Sequence, residues 1–234
     1  VTTLLLVRHG LTELTGPVLA GWTPGLSLDE RGRAQARALG DRLASVPLAA
    51  VVSSPLDRCL QTAGAIVAAS GRRDGPGEVL RDERFGEVRY GDWTGRPLKE
   101  LAEEPLWRVV QAHPSAAVFP GAQGEAMAAA QHRAVTAVRD WNARIAAQAG
   151  PDAVYLVCSH GDIIKAIVAD ALGLHLDQFQ RIQADPASLT VIRYTELRPF
   201  LVRLNDTGGG VDGLLPPPGT PAGGEGDAPV GGGA

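Results

Sequence analysis

Up to Asn205 the chain alternates short, densely apolar runs with longer stretches in which apolar residues recur every three or four positions. The first kind reads as buried β-strand and the second as amphipathic α-helix. Strands are predicted over 3–8, 49–53, 153–158, 188–194 and 198–204, and helices over 28–45, 56–70, 124–148 and 162–172. Strands interleaved with helices in this way predict an α/β domain built on an open, mostly parallel sheet. Only Thr195 to Leu197 separate the last two strands, so these form an antiparallel hairpin that supplies an edge strand. The first helix has a legible start, because Ser27-Leu28-Asp29-Glu30 matches a capping box in which serine and glutamate satisfy orphan amides reciprocally.

The pattern breaks after Asn205, where Gly208-Gly209-Gly210 opens a segment that holds Pro216-Pro217-Pro218 and ends Gly231-Gly232-Gly233-Ala234. Such a composition buries too little apolar surface to offset the entropy of ordering it. Residues 1–207 are therefore expected to form one domain, and 208–234 a Gly/Pro-rich tail that Leu214-Leu215 would anchor against another copy of the chain. At 234 residues and 44% apolar content the chain can bury a full core.

Charge narrows the partners. With 22 basic and 26 acidic residues the formal charge is -4, so no general positive field draws nucleic acid or an anionic membrane. Anion binding must be local. No apolar run approaches the roughly 20 residues that span a bilayer, and Arg8 and His9 interrupt the apolar start where a secretory leader would continue. A cytoplasmic location is expected. Cys59 and Cys158 cannot supply a disulfide framework and sit in apolar segments as small hydrophobes.

Polar groups cluster where apolar strands stop. Leu4-Leu5-Leu6-Val7 ends on Arg8-His9-Gly10, a cation, an imidazole and a glycine. Val51-Val52-Ser53-Ser54 ends on Pro55, which begins a helix with Arg58 about one turn in, and Tyr155-Leu156-Val157-Cys158-Ser159 ends on His160-Gly161-Asp162. Ligands of open α/β sheets sit at carboxyl strand ends, and helix amino termini favour phosphate. Arg8, His9, Arg58 and His160 are thus predicted to converge on one phosphoryl group. A fourth stretch, Arg84-Phe85-Gly86-Glu87-Val88-Arg89-Tyr90-Gly91-Asp92-Trp93, presents Glu87 among aromatic residues, where partial burial would raise its pKa and suit it to donate a proton. Glu83 is the rival acid, and a solvated charge run explains it.

Taken together, Leu6-Val7-Arg8-His9-Gly10, Ser53-Ser54-Pro55-Leu56-Asp57-Arg58-Cys59-Leu60-Gln61-Thr62-Ala63, Glu87-Val88-Arg89-Tyr90-Gly91-Asp92-Trp93 and Ser159-His160-Gly161 resemble the histidine phosphatase superfamily in its phosphoglycerate-mutase-like branch. The resemblance covers 3 to about 204. It implies a three-layer αβα sandwich, a phosphohistidine intermediate, and neither metal nor cofactor. By the same resemblance His9 is the nucleophile, Glu87 the proton donor and acceptor, and Arg8, Arg58 and His160 the groups that hold the phosphoryl oxygens. Neutral imidazole near pH 7 suits the first role on its own chemistry.

Two positions depart from the family pattern. An acidic residue, a hydroxyl residue and an asparagine often follow Arg-His-Gly, whereas Leu11, Thr12 and Thr15 stand here, with Thr15 able to give one hydrogen bond to phosphate. The mutases typically carry Glu-Arg-His-Tyr-Gly, and this chain has Glu87-Val88-Arg89-Tyr90-Gly91. The reading favoured is a phosphatase acting on a small phosphomonoester; the alternatives are a phosphoglycerate-type mutase and a non-catalytic phosphate-ester binding protein. A mostly apolar insertion at about 96–123 is expected to cap the pocket or simply to pack on the core, and the edge hairpin with the tail suggests a homo-oligomer. His113, His132 and His175 are read as surface histidines without chemistry.

Overall fold

Along the first strand Leu4 and Leu6 join one apolar cluster while Leu5 and Val7 join another. Side chains on a strand alternate between the faces of its sheet, so a strand apolar at every position must be covered on both. The structure, a computed structural model, describes residues 1–70, 77–209 and Gly231, and it supplies both covers. The strands are β1 (Thr2–Arg8), β2 (Leu48–Ser53), β3 (Leu80–Arg81), β4 (Ala153–Ser159), β5 (Leu189–Tyr194) and β6 (Pro199–Asp206). The helices are α1 (Glu30–Leu43), α2 (Asp57–Ala69), α3 (Leu98–Leu101), α4 (Pro105–Ala112), α5 (Met127–Ala149) and α6 (Gly161–Ala171). Helices α1 and α2 contribute to the cluster with Leu5 and Val7, and α5 and α6 to the cluster with Leu4 and Leu6. The result is the expected αβα sandwich.

The sheet runs β3-β2-β4-β1-β5-β6. Strands β1 to β4 pair in parallel; β5 runs antiparallel to β1, and the edge strand β6 antiparallel to β5. The register brings the site together, since Arg8 lies opposite Ser159 and Ser53 opposite Cys158. The residues that follow, His9, Ser54 and His160, therefore leave the sheet side by side at its carboxyl edge.

The sequence reading needs adjusting, first because α3 and α4 lie in the 96–123 insertion where it gave no helix range. The first helix begins at Glu30, two residues late, because the Asp29 carboxylate and not Ser27 caps it by accepting from the Gly32 amide at 2.7 Å. Ser27 instead accepts from Gln61 at 2.9 Å. The two-residue strand β3 has no apolar run long enough to announce it and exists through its pairing with Val52 and Ser53. The Gly/Pro-rich tail, Leu214 and Leu215 included, lies outside the described residues except for Gly208, Gly209 and Gly231.

Candidate active site

Gly10 and Gly32 let the loop after β1 lie directly on the start of α1. A Cβ on Gly32 would stand 2.0 Å from the Leu11 carbonyl oxygen, and one on Gly10 would stand 2.6 Å from the Gly32 carbonyl oxygen. The loop is further tied by Gly10 N donating to Thr62 Oγ1 (3.1 Å), Leu11 N to Gln35 Oε1 (3.0 Å) and His9 N to Ser159 O (3.1 Å). His9 is thus held by backbone on two sides, 6% exposed.

Hydrogen-bond partners assign its tautomer. His9 Nδ1 lies 2.7 Å from the Gly10 carbonyl, which can only accept, so Nδ1 carries the proton. Nε2 keeps its lone pair and accepts from Arg58 Nε at 3.2 Å. Burial first, then the Arg58 and Arg8 charges, hold this imidazole well below the usual histidine range. It is neutral, with a nucleophilic nitrogen facing two guanidinium groups.

His160 closes the opposite side, its ring 5.2 Å from that of His9 at 63°. Its Nδ1 accepts from Arg58 Nη2 at 3.3 Å, which leaves the proton on Nε2, donated to Ser54 Oγ at 2.7 Å. Burial, followed by Arg58, His9, Arg8 and Arg133, also keeps His160 neutral well below the usual range. His160 is fully buried behind the residues that line the cavity, and a phosphoryl dianion bound there would offset the same cationic field.

The arginines are anchored at one nitrogen and open at another. Arg8 Nη1 donates to Ala184 O and Arg58 Nη2 to Gly21 O, both at 2.7 Å. Among the described residues, the buried Arg8 Nε and Arg58 Nη1 find no hydrogen-bond partner. Orphaned, charged donors in a buried position are costly unless a ligand completes them, and two of them facing a cavity define an anion site.

Glu87 enters from the loop before α3 and is 3% exposed, while Glu83 is exposed on a turn. Its Oε1 accepts from the Val88 amide at 2.9 Å, and Oε2 lies 3.9 Å from His160 Nδ1. Burial, then the Asp162 charge, push its pKa up to about 7 against the opposing pull of the Val88 amide, Arg58 and Arg8. The loop is held through its carbonyls: Arg133 donates to Arg84 O, Gly86 O and Glu87 O, and Trp22 Nε1 donates to Glu87 O at 2.6 Å. Glu125 pairs with Arg133 at 2.6 Å and accepts from the Arg89 amide at 2.9 Å.

Arg8, His9, Thr15, Arg58 and Glu87 line one cavity with Thr12, Gly16, Val18, Ala20, Gly21, Leu98 and Gly231. Thr15 sits on its wall, 3.0 Å from both the amide and the hydroxyl of Thr12. Of 96–123 only Leu98 reaches this lining. The aromatic residues of that segment pack inward, since Phe119 meets Tyr90 and Trp93 edge-on at 4.9 and 5.5 Å and Trp107 lies 6.4 Å from Trp93, while Val118 is exposed. His113 and His175 are exposed beside Asp177, and among the described residues no His, Cys, Asp and Glu group could hold a metal ion.

Sequence reasoning missed Ser54, Tyr90 and Asp162 as parts of this site. Asp162 did carry a signal, as a carboxylate in the first turn of a largely apolar helix directly after His160-Gly161. Ser54 and Tyr90 sat in quoted motifs but differ from structural residues only through partners distant in sequence.

The sequence profile of the histidine phosphatase superfamily (branch 1) matches residues 4–207. Phosphoserine phosphatase 1 of Hydrogenobacter thermophilus is 32% identical over 215 residues, covering 87% of this chain and 92% of that protein. The 2,3-bisphosphoglycerate-dependent phosphoglycerate mutase 2 of Gloeobacter violaceus is 30% identical over 191 residues, covering 78% and 81%. The structure of Bacillus stearothermophilus YhfR superposes with a TM-score of 0.74 at 28% identity, covering 88% of this chain and 98% of that one.

Proposed function

Because the chain belongs to branch 1 of the histidine phosphatase superfamily, we propose that it hydrolyses a small phosphomonoester through a phosphohistidine on His9. The observation that carries this reading is the pair of partnerless guanidinium nitrogens, Arg8 Nε and Arg58 Nη1, beside the unprotonated Nε2 of a neutral histidine.

The His9 Nε2 lone pair forms a bond to phosphorus as the bond from phosphorus to the ester oxygen breaks, and that oxygen takes the proton of Glu87. A water then attacks phosphorus and gives a proton to the Glu87 carboxylate as the phosphorus–nitrogen bond breaks. Phosphate leaves and His9 regains its lone pair. Arg8, Arg58 and Thr15 hold the phosphoryl oxygens, and His160 joins them once the bound dianion has let its Nδ1 take up a proton, so that positive donors surround the charge that develops. These side chains supply the counter-charge that a metal ion would otherwise bring.

Among the described residues the rest of the lining is Thr12, Gly16, Val18, Ala20, Gly21, Leu98 and Gly231, none of them cationic. That favours a leaving group with little charge over a bisphosphorylated ligand, and so hydrolysis over the mutase reaction. A substrate panel that includes phosphoserine and 3-phosphoglycerate, run with radiolabelled phosphate, tests it. Free phosphate and an acid-labile, base-stable label on the protein, both lost in His9→Ala, are expected; isomerised product in place of phosphate would establish the mutase.

Two subsidiary readings go with this. No described helix is long and apolar enough to cross a membrane, and both cysteines are free thiols, which supports a reducing, cytoplasmic setting. The edge strand β6 exposes Phe200, Val202 and Leu204, which supports self-association of the chain.

A further inference from the structure

Behind Glu87 lies a second carboxylate that the phosphoryl-transfer chemistry does not use. Asp162, on the first turn of α6, is 1% exposed. Its Oδ2 accepts from the Tyr90 hydroxyl at 2.8 Å and from the Gly231 amide at 3.2 Å, and Oδ1 lies 3.5 Å from Lys165 Nζ. Tyr90 and Lys165 are buried as well, and Lys165 also donates to Gln180 Oε1. Asp162 follows by two residues His160, whose Nδ1 lies 3.9 Å from Glu87 Oε2, so the pair stands beside the Glu87 carboxyl, and that carboxyl in turn helps to raise the Tyr90 pKa.

A phenol has one proton to give. Here it goes to Asp162, so Glu87 receives no proton from it. An ionised Glu87 would be a second buried carboxylate beside Asp162 with no help from the phenol, while a protonated Glu87 avoids that repulsion. We propose that Asp162 and Tyr90 are a positioning pair that keeps the Glu87 carboxyl in its proton-carrying form, so that the acid is loaded before substrate arrives. The inference rests on Glu87 being the proton donor in the reading above. Neither residue touches the reacting atoms.

Other charges also face Glu87. Arg8 and His9 approach from the end of β1, Arg58 from α2 and His160 from the junction of β4 and α6. Asp162 and Lys165 approach from α6, and Arg133 from α5 through the Glu87 carbonyl. The arginines favour the ionised carboxyl, and burial with Asp162 outweighs them. Lys165, 3.5 Å from Asp162 Oδ1, offsets part of the Asp162 charge.

The test reads Glu87 directly. The infrared band of a protonated carboxyl, assigned by its loss in Glu87→Gln, is titrated in the full chain and in Asp162→Asn and Tyr90→Phe. In Asp162→Asn the negative charge beside Glu87 is gone while the amide oxygen can still accept from Tyr90, so the midpoint should fall by about one pH unit or more, a tenfold change in the protonated fraction above it. Tyr90→Phe should lower it less. Hydrolysis of an alkyl phosphate by Asp162→Asn should match the parent near pH 5 and drop about tenfold above pH 7. Both variants keep side-chain volume close to the original, and thermal melting confirms that each is folded. A midpoint unchanged in both variants, or an equal loss of rate at every pH, overturns the proposal. If the band moves as expected in a protein that hydrolyses no phosphomonoester, the pair stands and the phosphatase reading falls.

Discussion

Arg58 directs Nε at the Nε2 of His9 across 3.2 Å, so in the free protein a guanidinium occupies the lone pair that phosphoryl transfer requires. Substrate must draw the guanidinium onto its own oxygens to release the nucleophile, and Nη1, which has no partner among the described residues, is the nitrogen ready to receive them. One side chain therefore orients His9, adds to the burial that keeps it neutral and, in the proposed reaction, binds phosphate.

Replacing Arg58 should separate these effects. Arg58→Ala is expected to lower kcat/KM by about 10²- to 10³-fold, as for loss of one oriented charged donor. The His9 imidazole pKa, followed by NMR, should rise at the same time, because Arg58 is the second-largest cause of its depression after burial. Arg58→Lys should restore little activity, since an ammonium cannot reach His9, His160 and Gly21 O together as the planar fork does. An alanine variant with parental kcat/KM would remove Arg58 from the site.

The reactive state pairs a neutral His9 with a protonated Glu87, and this fixes the pH profile. Glu87, with a pKa of about 7, loses its proton as pH rises through that value. His9 is held well below 6.5 and so stays neutral well into the acid range. With the substrate's own second ionisation corrected for, kcat/KM for an alkyl phosphate should form a plateau on the acid side. Above pH 7 it should fall about tenfold per pH unit. A rate that climbs steadily to pH 9 would exclude Glu87 as the acid.

The strand ends were legible because each announces itself locally: an apolar run stops and a charged or imidazole side chain follows, at Arg8-His9, at Ser54 with Arg58, and at Ser159-His160. Their convergence depends on the strand order β2-β4-β1 and on the pairing of Arg8 with Ser159. That order is a long-range property which the sequence reading did not contain; the reading reached the convergence through the general rule that ligands of open α/β sheets sit at carboxyl strand ends. Glu87 was recoverable over Glu83 from its glycine-punctuated aromatic setting, and the structure buries the first and exposes the second. What stayed hidden was wiring. Nothing local to Tyr90 says that its hydroxyl meets Asp162, 72 residues away, and nothing local to Arg133 says that it grips three carbonyls of the acid loop.

Ser54 fixes His160 by accepting from its Nε2 at 2.7 Å in a fully buried position. In Ser54→Ala the ring nitrogen keeps only Cys59 Sγ, at 3.4 Å, a far weaker partner. Stability should drop by about 1–3 kcal/mol, the usual result of leaving a buried polar group unpaired. The His160 ring, no longer held in one tautomer, should show mixed Nδ1 and Nε2 protonation by nitrogen NMR. Phosphate affinity should weaken about tenfold while His9 keeps its tautomer. An unmixed His160 signal would show that Arg58 alone sets the tautomer.

Two glycines in helices test whether backbone approach, rather than helix propensity, shapes the site. Gly64, within α2, has nothing within 4 Å of the place a Cβ would take. Gly64→Ala should stabilise the protein by roughly 0.5–1 kcal/mol through lower chain entropy, with activity unchanged. Gly32, in the first turn of α1, would place its Cβ 2.0 Å from the Leu11 carbonyl oxygen and 2.7 Å from the Leu11 nitrogen. Backbone atoms cannot swing aside as a side chain can, so Gly32→Ala must push α1 away from the loop that carries His9. A loss of about 1–3 kcal/mol, as for overpacking elsewhere, is expected despite the better helix former. Denaturant melts measure both changes, and activity should fall in Gly32→Ala because His9 N and Gly10 N lose their registered partners, Ser159 O and Thr62 Oγ1. If Gly32→Ala were instead as stable and active as Gly64→Ala, the loop after β1 would not be set by its contact with α1.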